Sequence, residues 1–131
     1  MNVNKKEHGD HGDTPLIKAS WKGYLKIVRY LISQGAGIDL TSSKGYTALI
    51  LAASWGHTSV VKYLIDKGAN LNIQDDEGET ALHSAVKLKH FDVVKLLLEK
   101  GADKTLKDKD GRSPLDSAKF NGLTRIVNLL S

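Results

Sequence analysis

The chain contains no cysteine, so a disulfide framework, a thiolate metal site and a cysteine nucleophile are all excluded. It also lacks any long apolar run. The longest, TALILAA at 47–53 and VVKLLLE at 93–99, fall far short of the roughly 18 or more residues that a membrane-spanning helix needs. The opening MNVNKKEHGD has lysines but no apolar stretch behind them and no small-residue cleavage site, so it does not read as a secretory signal, and a cytoplasmic location is expected, with non-classical export left open. Charge of one sign does not collect anywhere. The formal +4 is spread as +1 over the first eight residues and +1, +2, −1 and +1 over successive 33-residue blocks from Gly9, and the third block opens on the acidic run DDEGE, which repels phosphate. Nucleic acid is therefore not expected as a partner. There is no glycine-rich phosphate loop either.

What is present is a repeat. Sliding the chain along itself by 33 residues places GDTPL over GYTAL, GETAL and GRSPL, with Gly12, Gly45, Gly78 and Gly111 in one column and Leu16, Leu49, Leu82 and Leu115 in another. The register continues through Ala19, Ala52, Ala85 and Ala118, through Val28, Val61, Val94 and Val127, and through Leu31, Leu64, Leu97 and Leu130. Each column has a local reason. Thr14, Thr47, Thr80 and Ser113 sit where a hydroxyl caps a helix, and Pro15 and Pro114 follow at the first helical position, where a missing N–H costs nothing. Gly23, Gly56 and Gly122 let the chain turn back into a second helix, whose Ile27, Val28, Leu31 and Ile32 fall at helical spacing. Gly35, Gly68 and Gly101 then end that helix from the position just past it. A unit of this size cannot bury its stripe alone, so stacked neighbours must supply the core.

The G-x-T-P-L motif, the alanine three residues later, VVKLLLEKGAD at 93–103 and the 33-residue period together resemble the ankyrin repeat, over Gly9 to Ser131. The resemblance implies an all-α solenoid: helix-turn-helix units stacked side by side, with β-hairpin fingers projecting in a row. Residues 1–8 are then a flexible lead-in, and 9–131 one domain with copies near 9–41, 42–74, 75–107 and 108–131. This chain departs from the pattern at Ile17 and Ile50, which replace the histidine after T-P-L, and at Lys89, which replaces the glycine between helices. The last copy stops at Ser131, and Asp116, Ser117 and Asn128 suit a face that nothing covers, so a monomer is expected.

Candidate sites are weighed within this frame. In HGDHGDTPL, Gly12 and the TPL belong to the repeat, leaving His8, Asp10, His11 and Asp13 as lead-in and finger residues without the fixed geometry and supporting shell of a metal site. A calcium loop around Gly111 would need Leu106 and Ser117 as ligands, and around Gly78 it would need Ile73, so both fail. His83 resembles the histidine that ties fingers to helices, and no hydroxyl is paired with it as an activated nucleophile, so no enzyme and no cofactor are expected.

The resemblance implies a protein-binding surface along the finger tips and the inner face of the first helices, acting by occupancy as inhibitor, adaptor or chaperone. Carried over position by position, it consists of Trp21 and Lys22; Lys44, Tyr46 and Trp55; Asp76, Glu77 and Glu79; Lys87 and Leu88; and Lys109, Arg112 and Phe120. Both tryptophans fall on it, and exposed aromatics are enriched among interface anchors. The competing reading of Trp21 and Trp55 is burial beneath the fingers. The acidic third finger and basic fourth finger would set register by charge. A second function class is a small cofactor- or metal-handling protein in which His8, His11, His57 and His90 pass haem or a metal to a client enzyme.

Overall fold

A computed structural model describes residues 2–6 and 11–131; His8 and Asp10 of the metal-handling reading lie outside them. Eight helices run in chain order as α1 (Pro15–Lys22), α2 (Leu25–Ser33), α3 (Ala48–Ser54), α4 (Thr58–Asp66), α5 (Ala81–Lys87), α6 (Phe91–Glu99), α7 (Pro114–Phe120) and α8 (Thr124–Leu130). The odd-numbered helices pack side by side as an inner layer, the even-numbered ones as an outer layer, and each copy contributes one of each. No helix among the described residues is long and apolar enough to cross a membrane.

The caps are those the sequence requires. The hydroxyls of Thr14, Thr47, Thr80 and Ser113 each accept the backbone N–H three residues on, at Ile17, Ile50, His83 and Asp116, worth about 1 kcal/mol apiece. The leucine, alanine and valine columns meet in one continuous core running through all four copies. Ile17 and Ile50 are fully buried, apolar packing in place of a hydrogen bond, whereas His83 keeps the bond. Its Nδ1 accepts from Thr80 N at 3.1 Å and lies 3.0 Å from the Thr80 hydroxyl, so a hydroxyl is paired with it, contrary to expectation, though as a buried helix cap; the proton sits on Nε2, which donates to the carbonyl of Arg112 in the next finger at 3.0 Å.

Fingers two to four are tight turns, each closed by a 2.9 Å backbone bond, from Ser42 N to Tyr46 O, Asp75 N to Glu79 O and Asp108 N to Arg112 O, and by a second in which Gly45, Gly78 or Gly111 N donates to the carbonyl of Ser42, Asp75 or Asp108. Neighbouring fingers are tied by single backbone bonds, Ser43 N to His11 O, Asp76 N to Lys44 O and Lys109 N to Glu77 O, with Ser43 Oγ also donating to His11 O. No strand forms among the described residues, so the fingers are hairpin turns without a ladder.

The turn between the paired helices needs a left-handed residue, at Gly23 (φ 76°), Gly56 (72°), Lys89 (63°) and Gly122 (66°). The His57 ring lies against Gly23 and the His90 ring against Gly56, so close that an added Cβ would come within 2.6 and 2.7 Å of the Nδ1 atoms. Copy four carries Leu123 where those histidines stand. Position 89 is thus free of a ring, and a lysine is tolerated there at a conformational cost of about 1 kcal/mol.

One expectation is corrected: Ser117, expected on the uncovered terminal face, is buried, while Asp116 and Asn128 are exposed. Near the start of the chain, Val3 packs partly buried on the core and Asn4 Oδ1 accepts from Gly37 N at 2.7 Å.

Candidate functional site

The aromatic part of the site is built where copies one and two meet. Trp21 lies in the last turn of α1, and Trp55 sits one residue past the end of α3, which swings its indole out from the stack. The rings meet edge to face, with centroids 6.2 Å apart and planes at 60°. Trp55 is 58% exposed and Trp21 is half-buried, so Trp55 is not core, and Trp21 is braced from one side only. Trp21 also walls a cleft of about 170 Å³ with His11, Asp13, Ser42, Ser43, Lys44, Tyr46 and Leu51. The Lys22 ammonium stands 5.9 Å from the Trp21 ring and 6.0 Å from that of Tyr24.

Tyr46 links this cleft to the acidic finger. Burial, and after it the carboxylates of Asp75, Glu79, Glu77 and Asp76, hold its hydroxyl above the ordinary phenol range. The Asp76 carboxylate folds over finger two, where only a glycine fits: a Cβ on Gly45 would meet Asp76 Oδ1 at 2.9 Å. Asp75 behaves differently from its neighbours. It is buried at the finger base and accepts from Glu77 N (2.8 Å) and Glu79 N (3.0 Å); burial raises its carboxyl pKa above the usual range, and those two bonds oppose the shift. Ser42 and Asp108 hold the same position in their fingers and accept in the same way.

Further along, polar groups satisfy one another. Glu79 and Lys87 form a 2.7 Å ion pair from finger three to the end of α5, and the Glu79 hydrogen bond raises the Lys87 ammonium above its ordinary value. The Arg112 guanidinium stacks 4.1 Å from the centroid of Phe120, whose other face is open. Leu88, Asp76, Glu77 and Lys109 are exposed. The residues expected to line the surface thus separate into an aromatic cluster of Trp21, Lys22, Lys44, Tyr46 and Trp55, an acidic tip, and two internally paired couples. Leu51 was not anticipated; only its place in a column with Lys18, Ser84 and Ser117 distinguishes it.

The metal-handling reading is corrected at two of its four histidines. His57 Nε2 lies 2.8 Å from the carbonyl of Trp21, and His90 Nε2 lies 2.8 Å from that of Ser54. Each ring thereby clasps the preceding copy with one nitrogen and sets the other against glycine. Among the described residues no group of three His, Asp or Glu side chains converges as a metal site would require.

Comparison with known families agrees with this architecture. A family model for ankyrin repeats (3 copies) matches residues 34–108 and 71–131, and one for ankyrin repeats (many copies) matches residues 3–52. No curated protein matches the chain.

Proposed function

The chain belongs to the ankyrin repeat family, and we propose that it is a protein-binding module that engages a partner across its concave face and acts by occupancy rather than catalysis. The observation that carries this reading is the edge-to-face pair of half-buried Trp21 and exposed Trp55 beside the Tyr46 cleft. Indoles left uncovered beside an apolar cleft lower the free energy of a complex by leaving water together, and aromatic anchors of this kind dominate interface energetics. Asp76 and Glu77 on one side and Lys109 on the other are exposed and supply opposite charges that orient the partner before contact. The module works as a monomer in the cytoplasm.

Affinity capture tests this. Wild-type protein and a Trp21→Ala,Trp55→Ala variant, each shown to be folded, are incubated with native lysate and the retained proteins quantified by mass spectrometry. At least one protein is expected to be retained by the wild type and lost by the variant, while Phe120→Ala retains it. If no retained protein depends on the tryptophans, the concave aromatic reading is wrong.

A further inference from the structure

The turn at Lys89 carries strain that nothing inside the protein uses. Lys89 is the one non-glycine residue with a left-handed backbone among those described, at φ 63°, where the other three turns have glycine. Its side chain is exposed, and its ammonium makes no ion pair, hydrogen bond or ring contact among the described residues. Glycine would hold the same turn at lower conformational cost, so the fold itself does not account for a lysine here. Uncompensated strain of this kind concentrates at ligand clamps, where the position of the side chain outweighs its cost.

Lys89 stands where two grooves meet. One, of about 340 Å³, runs between the turns of copies two and three past Gly56, Thr58 and Asp92; the other, of about 360 Å³, runs between the turns of copies three and four past Leu123, Thr124 and Ile126. Lys89, Phe91 and Arg125 line both. Each groove therefore lies at an internal junction, with a copy on either side. At the second of them Lys89 and Leu123 take the places that glycine and histidine hold at the other two junctions, so no imidazole fills it. None of Trp21, Tyr46 and Trp55 lines either groove.

Charge selects the occupant. Arg125 lays its guanidinium over the Phe91 ring of copy three, 4.2 Å from the centroid, which restrains the side chain without engaging its N–H groups. Neither Arg125 nor Asp92 forms an ion pair among the described residues. Two unpaired cations thus share the edge between the grooves, and Asp92 offsets them from the first groove only. The balance of one positive charge suits a single carboxylate better than a dianionic phosphate group and directs it to the second groove, where Leu123 and Ile126 supply an apolar wall. We propose that this junction docks a Glu or Asp side chain of a partner polypeptide, its carboxylate held between Lys89 and Arg125 and the neighbouring apolar side chain lying against Leu123. The Glu79–Lys87 and Arg112–Phe120 couples line neither groove, so the turn face is where copies three and four keep free charge. An exposed carboxylate contact sets orientation more than affinity, so the tryptophan strip remains the main anchor.

The probe is acetyl-Leu-Glu-Leu-amide, titrated into the isotope-labelled full chain and followed by NMR beside its glutamine isostere, sodium acetate and inorganic phosphate. The expected result is saturable shift changes at Lys89, Leu123, Thr124 and Arg125, with affinity at least about tenfold weaker for the glutamine peptide and for acetate. Lys89→Gly should raise the urea midpoint and yet weaken the glutamate peptide at least about tenfold, a pairing that a purely structural lysine would not give. Arg125→Gln should weaken it by a similar factor, and Trp55→Ala should leave it unchanged, which separates this site from the concave surface. Equal affinity for the glutamate and glutamine peptides, binding unaffected by Lys89→Gly, or shifts confined to the concave strip overturns the proposal. So does inorganic phosphate binding the same residues more tightly than the glutamate peptide, which makes the site one for phosphate groups, or acetate matching the peptide, which removes the apolar contact and with it the polypeptide source.

Discussion

The first two copies and the last two share one fold and spend their variable residues in opposite ways. Copies one and two gather Trp21, Tyr46 and Trp55 around an open cleft, and the turns of copies one and two are glycines pressed by the histidine of the next copy. Copies three and four tie Glu79 to Lys87 and Arg112 to Phe120, and their turns, at Lys89 and Gly122, carry no imidazole against them. One half leaves its surface unsatisfied on the outside and is clasped tightly within. The other satisfies its own surface. Binding energy should therefore concentrate in the first half, and tolerance to turn substitution in the second.

The largest effect that separates the halves is expected at the turns. Gly56→Ala imposes both a left-handed alanine and a clash with His90, and should cost about 3 kcal/mol by urea denaturation, the sum of a conformational penalty and a lost clasp. Gly122→Ala, with open space around it, should cost about 1 kcal/mol. Equal losses would erase the distinction between the halves. Next comes the surface: Trp55→Ala should weaken partner binding by about 2 kcal/mol while leaving the melt nearly unchanged, since the indole is mostly exposed, whereas Leu88→Ala, equally exposed in copy three, should cost under about 1 kcal/mol by calorimetric titration.

A smaller effect sharpens the comparison from the other side. Lys89→Gly removes left-handed strain where no histidine presses, and should stabilise the fold by up to about 1 kcal/mol in the same denaturation assay. The smallest concerns pH. Burial holds the folded Asp75 pKa above its unfolded value, so its charge opposes folding at neutral pH, and that penalty is relieved as pH falls through the folded pKa toward the unfolded one. Asp75→Asn keeps the acceptor for Glu77 N and Glu79 N. It should melt at or slightly above the wild-type temperature at neutral pH, and the difference should vanish below the ordinary carboxylate range. A lower melt at neutral pH would mean that the charge strengthens the finger.

Much of the architecture was legible because each column repeats a local physical demand. A hydroxyl before each first helix, a glycine after the first three second helices and a small residue between neighbours need no knowledge of distant contacts. The site was harder to read. His57 and His90 look like free ligands until the carbonyls of Trp21 and Ser54, 36 residues earlier, are set beside them. Asp75 and Asp76 are adjacent and chemically alike, yet one anchors the finger and the other lies on its neighbour; only the column of Ser42 and Asp108 hints at this. The Glu79–Lys87 pair spans eight residues from a turn to a helix end, a spacing that no helical rule predicts. Ile27 matches a buried column yet is half exposed.

Trp21 and Trp55 are the only tryptophans in the chain, so its intrinsic indole emission reports on the proposed anchors alone. Acrylamide quenching of the native protein, measured before and after saturation with the partner identified by affinity capture, is the most direct test. Both indoles, Trp55 above all, should be quenched in the free protein and protected in the complex. Quenching unchanged by the partner, or native emission that resists acrylamide throughout, would remove the tryptophans from the binding surface.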